Sequence, residues 1–350
     1  MQDNPILVEV TRGSLVESCH RGAVAIADAD GRVLLGVGDI ERPVYPRSAV
    51  KAMQAMPLIE SGAADAFRLG DKELAIACAS HSGEEAHIDA VRSLLAKAGL
   101  DESQLACGAH WPIGERASRE LMRAGKSPTA IHNNCSGKHA GMLAVAVHRG
   151  LDPVGYERLD HPVQQEIRRI LSETCGIALE ADAIGIDGCS VPTFALPLAA
   201  VATGFARLAS GRGLEPGRAK AARRLMDACF AAPDLVAGDG RFDTIVMRGL
   251  GELAFAKGGA EGVHCAALPA LGIGIAVKVD DGTKRGAEMV LAVLLAKLVA
   301  NADQVLASQL AGEMRTWRGV RVGVVEPAPA LKAAVRALPR QSAVAAVAQR

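Results

Sequence analysis

Residues 23–56 read AVAIADADGRVLLGVGDIERPVYPRSAVKAMQAM, and the change of character inside this stretch decides the fold. Ala23 to Ala27 and Val33 to Gly38 are apolar runs on either side of Asp28-Ala29-Asp30-Gly31. That cluster has the side chains and the glycine that a tight turn requires, so a β-hairpin is predicted, with a weakly alternating strand at Ile6 to Val10 before it. Past Pro43 and Pro46 the sequence turns to helix formers, and a helix is predicted to begin at about Ser48 with that serine as its N-cap.

The same alternation of elements continues outward. Leu74 to Cys78 reads as a short apolar strand, and Ile88, Val91, Leu95 and Ala98 recur at helical spacing, which places Ser80 in a strand-to-helix turn. Asn133-Asn134-Cys135-Ser136-Gly137 precedes another helical segment, Lys138 to His148. Further helices are predicted near His161 to Glu173, Pro197 to Ser210, Pro216 to Ala231 and Lys284 to Ala300, the last the most hydrophobic and central. Strands return at Ala183 to Asp187, Leu253 to Lys257, Val263 to Ala267 and Ile273 to Val279. An early hairpin, a helical middle and late strands predict an α+β protein whose sheet is built from both chain ends. With no obvious linker and no internal repeat, residues 1–350 are expected to form one unit with a helical subdomain.

Composition narrows the function. Hydrophobic residues at 49% and charged residues at 22% exclude disorder and coiled coil. Lys+Arg and Asp+Glu balance at 39 each, so no bulk field recruits nucleic acid or an anionic membrane, and 3% aromatics argues against base stacking. No stretch offers the ~20 clean apolar residues of a membrane span. Met1-Gln2-Asp3-Asn4-Pro5 has no basic segment leading an apolar one, so a cytoplasmic setting is expected. The eight dispersed cysteines are then reduced thiols. A small-molecule partner is the expectation that is left.

Ser48 and Lys51 form the only Ser-x-x-Lys in the chain, a spacing that on a helix puts amine and hydroxyl on one face. A serine nucleophile needs such a base, which works as neutral amine when burial or a second cation depresses its pKa; the same residues also read as a cap and a solvated lysine. Lys257-Gly258-Gly259 follows a strand, where glycines allow a ligand close to the backbone. A helical Ser-x-x-Lys with a late-strand Lys-Gly resembles the arrangement used by serine β-lactamases and penicillin-binding proteins. Cys135 and Cys189 lie beside glycines at element boundaries and have the donor chemistry to hold zinc with Lys138, His139 or Asp187, although buried cysteine is more often a small hydrophobe. Ser80, His81 and Ser82 read as substrate-binding groups or helix caps, and Arg47 as a carboxylate clamp or a surface ion pair. Leu235 to Arg241 lacks the Lys-Ser/Thr pair of a phosphate-binding loop.

Taken in order, Arg47-Ser48-Ala49-Val50-Lys51, Cys78-Ala79-Ser80-His81-Ser82, Asn134-Cys135-Ser136-Gly137-Lys138-His139, Asp160-His161-Pro162, Asp187-Gly188-Cys189, Val236-Ala237-Gly238 and Lys257 closely resemble the rhizobial-type, or class 3, L-asparaginases of the asparaginase II family. The resemblance runs from about residue 6 to about residue 280. It implies a serine β-lactamase-like fold, a homodimer, and hydrolysis of L-asparagine to L-aspartate and ammonia. It also implies two Ser-Lys tandems, Ser48 with Lys51 and Ser80 with Lys257, and zinc at Cys135, Lys138 and Cys189. Arg47, His139 and Asp187 would then face the substrate. The alternatives are another serine amidohydrolase, such as a glutaminase or a β-lactam hydrolase, and a non-enzymatic amino-acid or metal sensor.

Overall fold

A computed structural model describes residues 4–179 and 183–338. The fold is α+β, and the chain divides into two compact units: Met1–Ala49, Leu196–Gly213 and Ile245–Arg350 form the first, Val50–Ala195 and Leu214–Thr244 the second.

The first unit contains an eight-stranded sheet drawn from both ends of the chain, as the sequence predicts. Its order is Glu313–Arg315, Arg321–Pro327, Ile6–Arg12, Leu15–Asp28, Ile273–Val279, Val263–Leu268, Phe255–Gly258, with Val33–Val37 also paired to Leu15–Asp28. The predicted hairpin is present: Val24 lies opposite Val37 and Ala27 opposite Val33. The central ladder is antiparallel, with Val24 against Val277 and Ile26 against Ile275. Consecutive residues there are buried, so both faces of these strands are covered. The helices Leu198–Ser210 and Lys284–Leu298 both pack on Val263–Leu268 and Ile273–Val279. Each Ile or Val fully buried in this way contributes about 1.5–3 kcal/mol of transfer free energy.

The second unit is helical. At its centre Ser136–His148 is buried without a break from Ser136 to Ala146, the signature of a helix surrounded on all sides. It packs on Met56–Glu60, Asp71–Ala77, Glu85–Lys97 and Pro162–Cys175. A small hairpin, Ile184–Ile186 with Pro192–Phe194, holds the Asp187-to-Val191 turn, closed by Asp187 N–H to the Val191 carbonyl at 2.9 Å.

The structure departs from the sequence reading at three places. No α-helix begins at Ser48: the Pro46 carbonyl accepts from Ala49 N–H at 3.1 Å, closing a 3-10 turn over Arg47–Val50. The α-helix opens only at Lys51, and Ser48 is not its cap. Leu74 to Cys78 is no strand but belongs to the helix Asp71–Ala77. An apolar run this short has no distinguishing period, and the arbitrating signal was Glu73, whose carboxylate takes Gly70 N–H at 2.9 Å in the first turn. Ser80 therefore joins two helices. Finally, the strands Glu313–Arg315 and Arg321–Pro327 complete one edge of the sheet from a segment whose pattern predicted none.

Candidate active site

Within the helical unit a network of buried polar side chains gathers Lys51, Cys135, Lys138 and Cys189. Lys51 is fully buried and its Nζ donates to the Ala79 carbonyl at 2.6 Å, the Cys135 sulfur at 3.1 Å and the Asn134 carbonyl at 3.4 Å. Lys138 Nζ donates to the Cys189 sulfur at 3.1 Å, and the two cysteine side chains share a hydrogen bond. Accepting that bond from Cys189, and then the charges of Lys51 and Lys138, holds the Cys135 thiol well below its ordinary range against the cost of burial. Cys189, the donor of the pair, is pushed up by the same bond and by burial. Burial acts to lower Lys138, but Cys135, Cys189 and Asp187 outweigh it and raise its pKa.

Helix packing sets this geometry. A Cβ at Gly137 would lie 2.1 Å from the Ile76 carbonyl, so only glycine lets the start of Ser136–His148 approach the end of Asp71–Ala77 closely enough. The Asp187-to-Val191 turn delivers Cys189 from the other side, with Ser190 in the left-handed region at φ 75.

Ser80 is buried beside Ala79, and its Oγ accepts from Asn134 Nδ2 at 2.8 Å. Asn134 is itself fixed by His110, whose Nε2 accepts from Asn134 N–H at 3.0 Å. His81 and Ser82 turn out to stitch the loop rather than cap a helix: His81 Nε2 meets Ser136 Oγ at 2.9 Å, and Ser82 Oγ donates to the Ala237 carbonyl at 2.8 Å. Burial, then the charges of His87 and Lys51, lowers the His81 pKa and keeps the imidazole neutral.

His139 is fully buried. Its Nδ1 lies 2.6 Å from the Tyr156 hydroxyl, which accepts from Ala106 N–H at 2.9 Å. His139 Nε2 has no hydrogen-bond partner. Burial and the cations Lys138 and Lys51 lower its pKa well below the ordinary value.

Arg47, Ser48 and Lys257 belong to the sheet-bearing unit. Arg47 adopts φ 53, a left-handed conformation that costs a non-glycine residue about 1–3 kcal/mol and that the surrounding structure must hold in place. Ser48 follows it, largely buried. Lys257 is fully buried on the strand Phe255–Gly258, opposite Cys265, and its Nζ donates to the Gly258 carbonyl at 3.2 Å. Two residues on, a Cβ at Gly259 would sit 2.5 Å from the Pro46 carbonyl, so this unit packs the end of the Lys257 strand on the segment leading into Arg47 and Ser48.

The donor set at Cys135, Lys138 and Cys189 fits zinc. Two sulfurs and one amine nitrogen, all buried and linked by hydrogen bonds, are donors of the kind that would hold it. Lys138 must shed its proton as the cation enters, which the cation itself favours. Among the described residues no three or more His, Cys, Asp or Glu side chains are grouped so as to hold a metal ion.

Sequence reading missed Asn134, His110 and Tyr156 as members of the network. Asn134 stands inside a quoted motif but carries no chemistry of its own. Tyr156 was legible in principle: the chain has two tyrosines, and a tyrosine among aliphatics needs a partner for its hydroxyl.

No helix among the described residues is long and apolar enough to cross a membrane. A search of curated proteins found no match. Among solved structures, a β-lactamase of Mycobacterium bovis aligns at 15% identity and a TM-score of 0.38, over 82% of this chain and 94% of its own. A protein named Mglu, in its native form in 4.3 M NaCl, aligns at 17% identity and 0.35, over 76% of this chain and 57% of its own. At these scores neither bears on the chemistry. Residues 8–327 match the family model for L-asparaginase II, and the chain belongs to that family of hydrolases acting on the side-chain amide of asparagine.

Proposed function

We propose that the protein hydrolyses L-asparagine to L-aspartate and ammonia through an acyl-enzyme on Ser48. Ser48 Oγ adds to the side-chain amide carbon as its proton passes to Lys51. Collapse of the tetrahedral oxyanion breaks the C–N bond while that proton moves to the departing nitrogen, which leaves as ammonia. Water, deprotonated by the same amine, cleaves the aspartyl ester and restores the serine. To act as base Lys51 must present a lone pair, and of its three hydrogen bonds the longest, 3.4 Å to the Asn134 carbonyl, is the one that yields. Ser80 and Lys257 form the second tandem, passing protons to and from the first. Arg47, His139 and Asp187 bind the substrate, with the Arg47 guanidinium suited to its α-carboxylate.

Cys135, Lys138 and Cys189 would hold zinc. Bound there, it supplies a positive charge that helps orient and recognise the substrate. A homodimer in a cytoplasmic setting completes the proposal.

One observation supports the reading: three residues after Ser48, the amine of Lys51 is fully buried and bonded to the carbonyls of Ala79, adjacent to Ser80, and of Asn134, whose amide binds Ser80, so the base proposed for Ser48 stands beside the serine proposed for the second tandem. The family match supports the substrate. The test is ammonia release from L-asparagine and L-glutamine by wild type and Ser48→Ala, on protein analysed for zinc. Asparagine turnover that vanishes in the variant is expected. Faster turnover of glutamine would make this a glutaminase, and no ammonia from metal-replete wild type would leave the sensor.

A further inference from the structure

The hydroxyl of Tyr156 settles where His139 carries its proton. Ala106 N–H can only donate, so the Tyr156 oxygen accepts it at 2.9 Å. The tyrosine proton then has one acceptor within reach, His139 Nδ1 at 2.6 Å. With Nδ1 accepting, the neutral ring carries its hydrogen on Nε2, the atom that has no partner. The reverse arrangement, Nδ1–H donating to tyrosine, orphans two groups, the tyrosine proton and the Nε2 lone pair. An unsatisfied buried polar group costs about 1–3 kcal/mol, so the arrangement with a single orphan prevails.

That orphan is a donor, held rigidly on the buried helix one residue after Lys138. We infer that Tyr156 is a positioning residue, fixing His139 so that Nε2–H donates to an acceptor oxygen, carboxylate or amide carbonyl, of the bound substrate. The inference rests on the substrate-binding place proposed for His139. The competing occupant is a resident water.

Steady-state kinetics on L-asparagine, product inhibition by L-aspartate and 15N NMR of the histidine ring test it on the zinc-loaded protein. In wild type the His139 resonances should report the Nε2–H form. Tyr156→Phe should mix the two tautomers and raise KM and the aspartate inhibition constant together by about threefold to tenfold, with kcat within about twofold. In a His139→Ala background the same substitution should add nothing, since Tyr156 acts through the imidazole. An equal effect of Tyr156→Phe in both backgrounds would mean a purely structural tyrosine and overturn the inference. So would a wild-type ring protonated on Nδ1, or a tautomer change with KM unmoved, the result expected of a water. Absence of asparagine turnover in wild type would instead strike the enzymatic reading, while the ring resonances would still report the tautomer.

Discussion

Lys51 Nζ donates to the Cys135 sulfur at 3.1 Å, so a single hydrogen bond joins the proposed general base to a proposed zinc ligand. Substitution at Cys135 therefore has two separable effects. Cys135→Ser keeps an acceptor for Lys51 and gives up a good zinc donor, whereas Cys135→Ala gives up both. Both variants should lose bound zinc by elemental analysis, with kcat of the alanine variant about tenfold below that of the serine variant. Equal rates would disconnect the lysine from the cysteine.

Lys51→Met fills the same space without a proton acceptor. It should lower kcat by about 10²- to 10⁴-fold, the range for loss of a positioned acid–base group, while circular dichroism shows a folded protein. Retention of more than a tenth of wild-type turnover would remove Lys51 from the mechanism.

Two glycines on one helix should respond very unequally to alanine. Gly137→Ala places a methyl 2.1 Å from the Ile76 carbonyl, a backbone atom that cannot yield without separating two helices, so a loss on the order of 3 kcal/mol is expected in urea denaturation. Gly141→Ala meets only the Ala77 Cβ at 3.3 Å and the Leu58 Cδ2 at 3.8 Å. There the helix propensity gained, about 1 kcal/mol, offsets the crowding, and the midpoint should scarcely move. A near-neutral Gly137→Ala would contradict the helix contact.

Acid stability should depend on Glu73. Burial acts to raise its pKa, but Lys97 Nζ at 2.6 Å, Ser93 Oγ at 2.5 Å and Gly70 N–H at 2.9 Å together hold it below the ordinary glutamate range. A carboxylate depressed in the folded state stabilises at pH above its unfolded value, and the contribution fades as pH falls through its folded value. Glu73→Gln should cost about 1 kcal/mol at pH 7, kept small by the partial exposure of Lys97, and nothing near pH 2. Parallel stability curves for the two proteins across that range would refute the assignment.

What could be read from the sequence follows from how local each signal is. The hairpin around Asp28 to Gly31, the strand Ile273–Val279 and the helix Pro216–Ala231 carry their own turn residues and periodicity, and they form where predicted. Ser48 was misplaced by one turn because the 3-10 geometry depends on the Pro46 carbonyl and on the left-handed Arg47, neither visible as a pattern. The strand Arg321–Pro327 pairs only with segments distant in sequence or too short to signal a hairpin. At the site, Ser48, Lys51, Ser80, Cys135, Lys138, His139 and Cys189 stood out by their intrinsic chemistry and their neighbours in sequence, whereas His110 did not. Asn134 and Tyr156 matter only through what they touch, and touching is a property of the folded chain.

The sheet drawn from both termini also sets an order of events at the ribosome. Residues 50–195 emerge long before Ile273–Val279 can pair with Leu15–Asp28. The early hairpin must wait with an unclosed edge while the helical segment condenses through short-range contacts, and the final third of the chain closes the ladder last. Lys257 arrives on that late portion, so a nascent chain already holding Lys51, Ser80, Cys135 and Cys189 still lacks this lysine until the strand Phe255–Gly258 has been made.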